Sequence, residues 1–181
     1  MKQSGQSPVQ TTLVAMAGLP GTGKSTLAQS LAEAVGGAVL DKDVIRAALF
    51  PQPLLDYSQE QDDFSMEVLL QTAAYIARRR SVPFIFIDGR PFVWRSQMES
   101  VVRLAGSLGC RLKIIHTICS DQAAQERLTR PHVAANRTFQ LYVALRDRFE
   151  GIVEPHLTVD TEEPLAACLA QCRKFIEASS G

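Results

Sequence analysis

The residues best suited to chemistry form a glycine-rich stretch near the start of the chain, residues 18–25, with the sequence GLPGTGKS. The stretch matches the pattern G-x-x-x-x-G-K-[ST] at every fixed position. Glycines allow successive backbone N–H groups to turn toward phosphate oxygens, and the N-terminus of a following helix adds partial positive charge. Lys24 can then reach the β- and γ-phosphates, where it would act in catalysis, and the Ser25 hydroxyl can hold Mg²⁺. The stretch predicts a nucleoside triphosphate site.

The segments on both sides of this stretch support the same interpretation. Residues 11–17 are apolar with a β-branched start, which is typical of a buried parallel strand. Downstream, Leu27 and Leu31 share one helical stripe, and Gly36 follows as a stop signal. Strand, loop and helix in this order distinguish a phosphate-binding loop from an ordinary glycine turn. The predicted nucleotide contacts are Gly18, Gly21, Thr22, Gly23, Lys24, Ser25 and Thr26.

Aspartates follow the other predicted strands. Asp41 and Asp43 follow the second strand, and Asp88 closes the third. In open parallel sheets, ligands bind outside the carboxyl ends of the strands, so these side chains are candidates for the site. Asp88 stands where an acid orders Mg²⁺ or its waters, which assigns the metal to Ser25 and Asp88. The alternative is a turn aspartate before Gly89.

Asp43 and Arg46 are spaced i, i+3 and can point the same way from the first turn of a helix. A carboxylate in this place can take the proton of an acceptor hydroxyl, and an arginine can hold a polar or anionic part of the acceptor. Asp41 is a further substrate-side candidate, and either aspartate could be the base. The alternative is an aspartate that caps the helix beside a solvated arginine.

Arginines lie in two further places where they could serve the reaction. Arg90 and Arg95 follow the third strand and could face the acceptor, or lie on the surface. Arg127 and Arg130 flank a polar loop, with Arg137 at its far end, and the predicted lid spans residues 127–137. Arginines that close over a transferring phosphoryl group stabilise its charge, so Arg127 and Arg130 are catalytic candidates.

Strands alternate with helices five times, which predicts a three-layer α/β fold with a five-stranded parallel sheet. One long helix is predicted over residues 58–80. We expect its buried side to carry Phe64, Val68, Tyr75 and Ile76. These elements account for a single domain over residues 11–181, and residues 1–10 read as a flexible polar tail.

Composition narrows the class of protein. The chain has 181 residues, 46% of them hydrophobic, with 19 basic and 19 acidic side chains. A balanced charge supplies no field to recruit nucleic acid or an anionic membrane. No apolar run is long enough for a membrane helix, and the dispersed cysteines and histidines argue against a protein metal cage. A reducing cytoplasm fits this cysteine usage.

In the order of its motifs, the chain resembles the small P-loop kinases. These motifs are the glycine-rich loop, the Asp-x-Asp-x-x-Arg element, Asp88-Gly89-Arg90 and Arg127-x-x-Arg130. The group includes gluconate, adenylyl-sulfate and polynucleotide kinases, zeta toxins and AAA-type bacterial ATP-binding proteins. The resemblance spans about residues 11 to 178. It implies sheet order 2-3-1-4-5, a mobile lid, Mg·ATP as donor, Asp43 as acceptor base and Arg46 as an acceptor contact.

The favoured hypothesis is an ATP-dependent kinase that phosphorylates a hydroxyl of a small molecule. A polynucleotide 5′-hydroxyl kinase is an alternative, which neutral charge and few aromatic side chains for base stacking disfavour. A non-catalytic ATP-binding regulator is another, which the retained Asp43 disfavours. The acceptor pocket is expected from residues 50–64 and 91–95, and the identity of the acceptor stays open.

Overall fold

Strands and helices alternate through the computed structural model, which describes residues 10–131, 134 and 136–178. The strands are β1 (Thr12–Ala17), β2 (Ala38–Asp41), β3 (Phe84–Asp88), β4 (Arg111–Ile118) and β5 (Leu157–Asp160). The helices are α1 (Lys24–Val35), α2 (Lys42–Leu49), α3 (Gln59–Arg79), α4 (Arg95–Leu108), α5 (Asp121–Leu128), α6 (Phe139–Arg146) and α7 (Leu165–Glu177). A short 3₁₀ helix, Gln52–Leu54, joins α2 to α3.

The strands form one five-stranded sheet in the order β2-β3-β1-β4-β5, and every pairing in it is parallel. This confirms the predicted fold class and sheet order. Strand β1 lies at the centre and is buried along its whole length. Because β1 leads directly into the glycine-rich loop, the loop emerges at the middle of the carboxyl edge. Asp41 and Asp88 are register partners at the same edge.

Each face of the sheet carries its own hydrophobic core. On one face, α3 and α4 pack against β1 and β3, with Leu69 and Val101 fully buried. On the other face, α1 and α7 supply Leu31 and Ile176, which are also fully buried. Burying a side chain of this size stabilises the fold by about 1.5–3 kcal/mol. Helices therefore cover both faces of the sheet. The carboxyl edge is the part of the sheet that remains accessible to ligands.

The predicted buried side of α3 is wrong at its two aromatic residues, whereas Val68 and Ile76 are partly buried and Ile76 packs against the core. Phe64 is 51% exposed and Tyr75 is 58% exposed, whereas Leu69, Ala73 and Ala77 face the sheet. The small alanine side chains let the helix approach the sheet closely, which large aromatic rings on that face would prevent. The prediction assigned the buried side from the largest hydrophobic residues and overlooked the stripe of alanines that faces the sheet.

Two predicted segments fall partly outside the described residues. Residues 1–9 of the predicted tail lie outside them, as do residues 132, 133 and 135 of the predicted lid. Within the described part of the lid, Arg127 belongs to the last turn of α5, and the chain then runs to α6. No helix among the described residues combines the length and apolar character that a membrane span requires.

Candidate active site

The glycine-rich loop adopts a backbone that only glycine accepts without strain. Gly18, Gly21 and Gly23 have φ angles of 134°, 84° and 85°. A Cβ atom built on Gly18 would lie 2.4 Å from the carbonyl oxygen of Thr117 on the neighbouring strand β4. The loop is therefore seated directly on the sheet, and its amides curl at the N-terminus of α1.

Lys24 and Thr22 fold back onto the loop and fix its shape. The Lys24 ammonium donates a hydrogen bond of 2.9 Å to the carbonyl oxygen of Leu19. The Thr22 hydroxyl donates to the same oxygen at 2.7 Å and lies 2.8 Å from the Thr117 hydroxyl. Burial lowers the pKa of Lys24 from 10.5 to about 8, against the opposing charge of Asp88. The Lys24 ammonium is thus removed from water, and a bound phosphate would supply the negative charge that stabilises it.

Asp88 has the environment expected of a magnesium ligand. Its side chain is fully buried, and neither carboxylate oxygen has a hydrogen-bond partner among the described residues. Burial, and then the charge of Asp88, raises the pKa of the neighbouring Asp41. Unpartnered buried carboxylate oxygens are costly unless a cation accompanies them, so Ser25 and Asp88 fit Mg²⁺. No cluster of three or more acidic, histidine or cysteine ligands occurs among the described residues.

Asp41 serves first as the cap of α2. One of its carboxylate oxygens accepts from the backbone N–H of Asp43 at 2.7 Å and of Val44 at 3.4 Å. This cap aligns the first turn of α2 with the carboxyl edge of the sheet. The helix cap expected as the alternative for this stretch is therefore Asp41.

Asp43 belongs to a buried network of charges. Its Oδ1 accepts from Arg46 Nη2 at 2.7 Å and lies 3.2 Å from the Lys42 ammonium. Arg46 also lies over the ring of Tyr57, with its guanidinium carbon 4.7 Å from the ring centre. Lys42 and Arg46 are almost wholly buried. These contacts hold the Asp43 carboxylate in one orientation with a positive charge on either side.

Helix α3 completes the network with two aspartates that the motif search missed. Asp62 pairs with Lys42, with Arg46 at 3.4 Å and with Arg90 at 3.1 Å. Asp63 pairs with Arg90 from a more exposed position. Acidic residues in the first turn of a helix are ordinary, so the sequence carried no signal that these face α2. Arg90 therefore contacts carboxylates of α3 and is not among the residues that line the cavities described below.

A cavity of about 180 Å³ joins the glycine-rich loop to this charged network. Lys24 and Ser25 line one side, and Asp43, Arg46 and Asp62 line another. The remaining wall is mixed, because polar side chains such as Lys42, Gln97, Asn136 and Arg137 also line it. Its apolar part includes Tyr57, Pro91, Val93, Trp94, Leu141 and Leu145. We call this space the acceptor cavity.

A second cavity of about 370 Å³ lies on the other side of the loop. Gly21, Thr26, Arg127 and Arg130 contribute to its lining. The Arg127 guanidinium donates to the Thr161 hydroxyl at 2.8 Å and to the Thr161 carbonyl oxygen at 2.9 Å. We call this space the donor cavity, because it adjoins the loop amides and has room for a nucleotide.

The remaining arginines divide into those that reach the site and those that do not. Arg137 lines both cavities and is attracted by the charges of Asp43, Asp88 and Asp41, while burial lowers its pKa. Arg130 is exposed at the rim of the donor cavity. Arg95 lies outside the lining of both cavities.

Arg95 is held on the surface by Glu150. Its backbone N–H donates to the Glu150 carboxylate at 2.8 Å, and its guanidinium approaches the Glu150 carbonyl oxygen at 3.4 Å. The structure therefore brings Lys24, Ser25, Asp43 and Arg46 into one cavity and places Arg95 apart from it.

The sheet order and the loop define a P-loop NTPase fold. Residues 13–152 match the family model described as an AAA domain, so the chain belongs to the AAA domain family. This agrees with the resemblance that the motifs indicated. A search of curated proteins found no match.

Solved structures share the fold over nearly the whole chain. The APS kinase of Mycobacterium tuberculosis, solved with AMPPNP and APS, is 16% identical at a TM-score of 0.72, covering 94% of this chain and 100% of that one. A gluconokinase from Sinorhizobium meliloti is 18% identical at a TM-score of 0.63, covering 93% and 90%. A sugar kinase from Janibacter is 16% identical at a TM-score of 0.69, covering 92% and 95%.

Proposed function

We propose that this protein is a kinase that transfers the γ-phosphoryl group of ATP to a hydroxyl group of a small molecule. The observation that carries the proposal is the shared acceptor cavity, in which Lys24 and Ser25 of the loop face Asp43 of α2. One cavity thus holds a phosphate-binding group and a candidate base, which is the arrangement that phosphoryl transfer requires.

In the proposed reaction, the acceptor hydroxyl lies against the Asp43 carboxylate, which accepts its proton. The hydroxyl oxygen forms a bond to the γ-phosphorus, and the bond to the β–γ bridging oxygen breaks, so ADP leaves with its electron pair. Lys24 and Arg137 stabilise the negative charge that spreads over the transferring group. Arg46 holds Asp43 in place through a 2.7 Å charge-assisted hydrogen bond.

Ser25 and Asp88 are the residues that would hold Mg²⁺, which neutralises phosphate charge when bound. The fully buried Asp88 carboxylate, without a hydrogen-bond partner among the described residues, supports this assignment. Asp41, its register partner on β2, lies close enough to contribute charge while it caps α2. The side chains of β2 and β3 thereby divide two tasks, metal binding and helix orientation.

The fold neighbours support the reaction class. The printed names of the similar structures are an APS kinase, a gluconokinase and a sugar kinase, each acting on a small molecule. The compact acceptor cavity of about 180 Å³ also suits a small molecule better than a polynucleotide end. Both observations favour a metabolite kinase over the polynucleotide alternative.

The test separates a kinase from a nucleotide-binding regulator. Purified protein with Mg·ATP is offered a panel of hydroxyl-bearing metabolites, and acceptor-dependent ADP release is recorded. With the acceptor so found, Asp43→Asn should keep its affinity for ATP in calorimetry and lose about 10² to 10⁴ in phosphoryl transfer, the usual contribution of a positioned general base. Arg46→Ala, which removes the side chain that orients Asp43, should chiefly lower kcat.

Glu33→Gln is the matched control, because it removes one carboxylate charge from the exposed side of α1. It should leave both ATP binding and transfer unchanged. If no compound in the panel stimulates ADP release and Asp43→Asn leaves the basal ATP turnover unaltered, the regulator becomes the better description.

A further inference from the structure

Lys42 and Arg46, two of the cations that line the acceptor cavity, are neutralised by carboxylates of the protein. Lys42 and Arg46 each pair with Asp43 and Asp62, and Arg90 pairs with Asp62 and Asp63. The network contains three basic and three acidic side chains and is therefore neutral. Its cations are almost wholly buried, so they do not turn outward to meet a ligand.

Asp62 stands at the centre of this network and also lines the cavity. It contacts all three basic side chains, and its own side chain retains 18% exposure. A carboxylate or phosphate on an acceptor would meet this negative charge together with that of Asp43. Like charges at short range in a partly buried site repel strongly, because water screens them little.

The opposite wall of the cavity offers apolar contacts. Leu141 and Leu145 are spaced i, i+4 on α6 and both face the cavity, as do Val93 and Trp94. Val93 is buried, and Leu141, Leu145 and Trp94 are partly buried, which suits a wall that covers a bound molecule. An acceptor that fits this cavity has a hydroxyl end toward Asp43 and an uncharged, partly apolar body.

We propose that the acceptor is an uncharged alcohol, and that Asp62 excludes anionic acceptors from the site. That the ligand of this cavity is a phosphoryl acceptor rests on the proposed function. The exclusion of anions concerns ligand binding alone. Arg137 has no ion-pair partner within the described part of the chain, and it borders both cavities. Bound ATP phosphates would occupy Arg137 and Lys24, which leaves the acceptor with Lys42 and Arg46, both already paired with carboxylates.

Trp94 makes a local test possible, because it lines the cavity and is the single tryptophan in the chain. Its fluorescence is followed during titration with gluconate and with glucitol, which share a carbon chain and differ in charge. Mg²⁺ and AMPPNP are present, so that Arg137 is engaged. Wild type should bind gluconate at least about tenfold more weakly than Asp62→Asn, since the substitution leaves one buried cation without its partner.

Asp63→Asn is the second variant, because its carboxylate is 57% exposed and Arg90 is its ion-pair partner, with one further hydrogen bond from Gln59, so folding is less at risk. It should give a smaller gain in gluconate binding. Glu60→Gln is the charge-matched control from the exposed first turn of α3 and should behave as wild type. Glucitol titrations should differ little between the proteins.

Two results would overturn the proposal. One is saturable gluconate binding by wild type as tight as by Asp62→Asn, and the other is no gain in either variant while unfolding curves show both to be folded. Because the readout is binding and needs no transfer, a failed kinase assay would leave this result interpretable. Failure here would likewise leave the kinase proposal standing.

Discussion

Lys24 is a buried ammonium whose free-state pKa of about 8 makes its charge sensitive to mildly alkaline pH. Bound phosphates hold the proton on the amine, so ATP binding takes up a proton once the free amine has lost it. Affinity for ATP should therefore fall as pH rises above about 8, by up to about tenfold per pH unit. Lys24, which identifies the loop in the sequence, should therefore also set the pH range in which the loop binds ATP.

Calorimetry of ATP binding at pH about 7.5 and about 9.5, in buffers of different ionisation enthalpy, measures that proton uptake. Lys24→Arg keeps a charge that does not titrate in this range and should give a flatter pH profile. The comparison cancels the titration of ATP itself. Identical pH profiles for the two proteins would contradict the assignment.

Gly18 lies so close to strand β4 that a larger residue there should disrupt the loop. A Cβ atom there would lie 2.4 Å from the Thr117 carbonyl oxygen, and its φ of 134° is strained for any L-residue. Gly18→Ala should displace the loop from β4 and abolish measurable ATP binding.

Gly106→Ala is the matched control, because its Cβ would meet nothing within 4 Å on α4. It should stabilise the fold by about 0.4–1 kcal/mol through the unfolded chain. Thermal unfolding measures the stability of both variants, and calorimetry measures their affinity for ATP. Normal ATP affinity in Gly18→Ala would count against the described loop geometry.

At the scale of elements, the segment between α5 and α6 distributes its arginines unevenly. Arg127 is tied to Thr161 beside the donor cavity, Arg130 is exposed, and Arg137 reaches toward Asp43 and Asp88. The sequence-based proposal assigned catalysis to Arg127 and Arg130. The geometry favours Arg137 for contact with the transferring group and Arg127 for the nucleotide.

Arg137→Ala should therefore lower the rate of transfer by about 10² or more, with a smaller effect on ATP affinity. Arg130→Ala should change the rate by less than about fivefold, since its side chain lies at an exposed rim. Steady-state kinetics with the acceptor found above compare the two. A larger loss in Arg130→Ala would restore the sequence-based assignment.

Strand β4 carries a histidine that stays neutral in the folded protein. His116 stacks on Phe149 with ring centres 5.4 Å apart and meets the ring of His156 at 5.8 Å. Burial, then the charges of His156 and Lys24, lowers the pKa of His116 from 6.5 to about 4. In the unfolded chain it protonates near its ordinary pKa, so stability should fall as pH drops from about 6.5 toward 4.

Urea unfolding at pH about 7.5 and about 5 tests this sign. His116→Phe keeps the stacked contact and removes the titrating group, so its loss of stability at the lower pH should be smaller than that of wild type. His156 remains in both proteins, which makes the pair a fair comparison. Equal losses would show that His116 titrates normally.

At the scale of the whole molecule, the sequence predicted what local patterns determine. Apolar segments that end in polar turn residues predicted the strands. The loop motif predicted that Lys24 and Ser25 lie at the carboxyl edge of the sheet. The strand order came from the family resemblance. Asp62 and Lys42 were missed because their ion pair joins α3 to α2, and Asp63 was missed because its partner Arg90 follows β3. The periodicity of one helix does not show which residue of another element it will contact.

Arg137 is the one described residue that borders both cavities, and this links the binding of donor and acceptor. A ligand that draws the guanidinium into one cavity changes the walls of the other. Donor and acceptor should then each change the affinity of the other by the same factor, as linkage requires. The affinity for AMPPNP, measured with and without the acceptor, gives the size and sign of that factor.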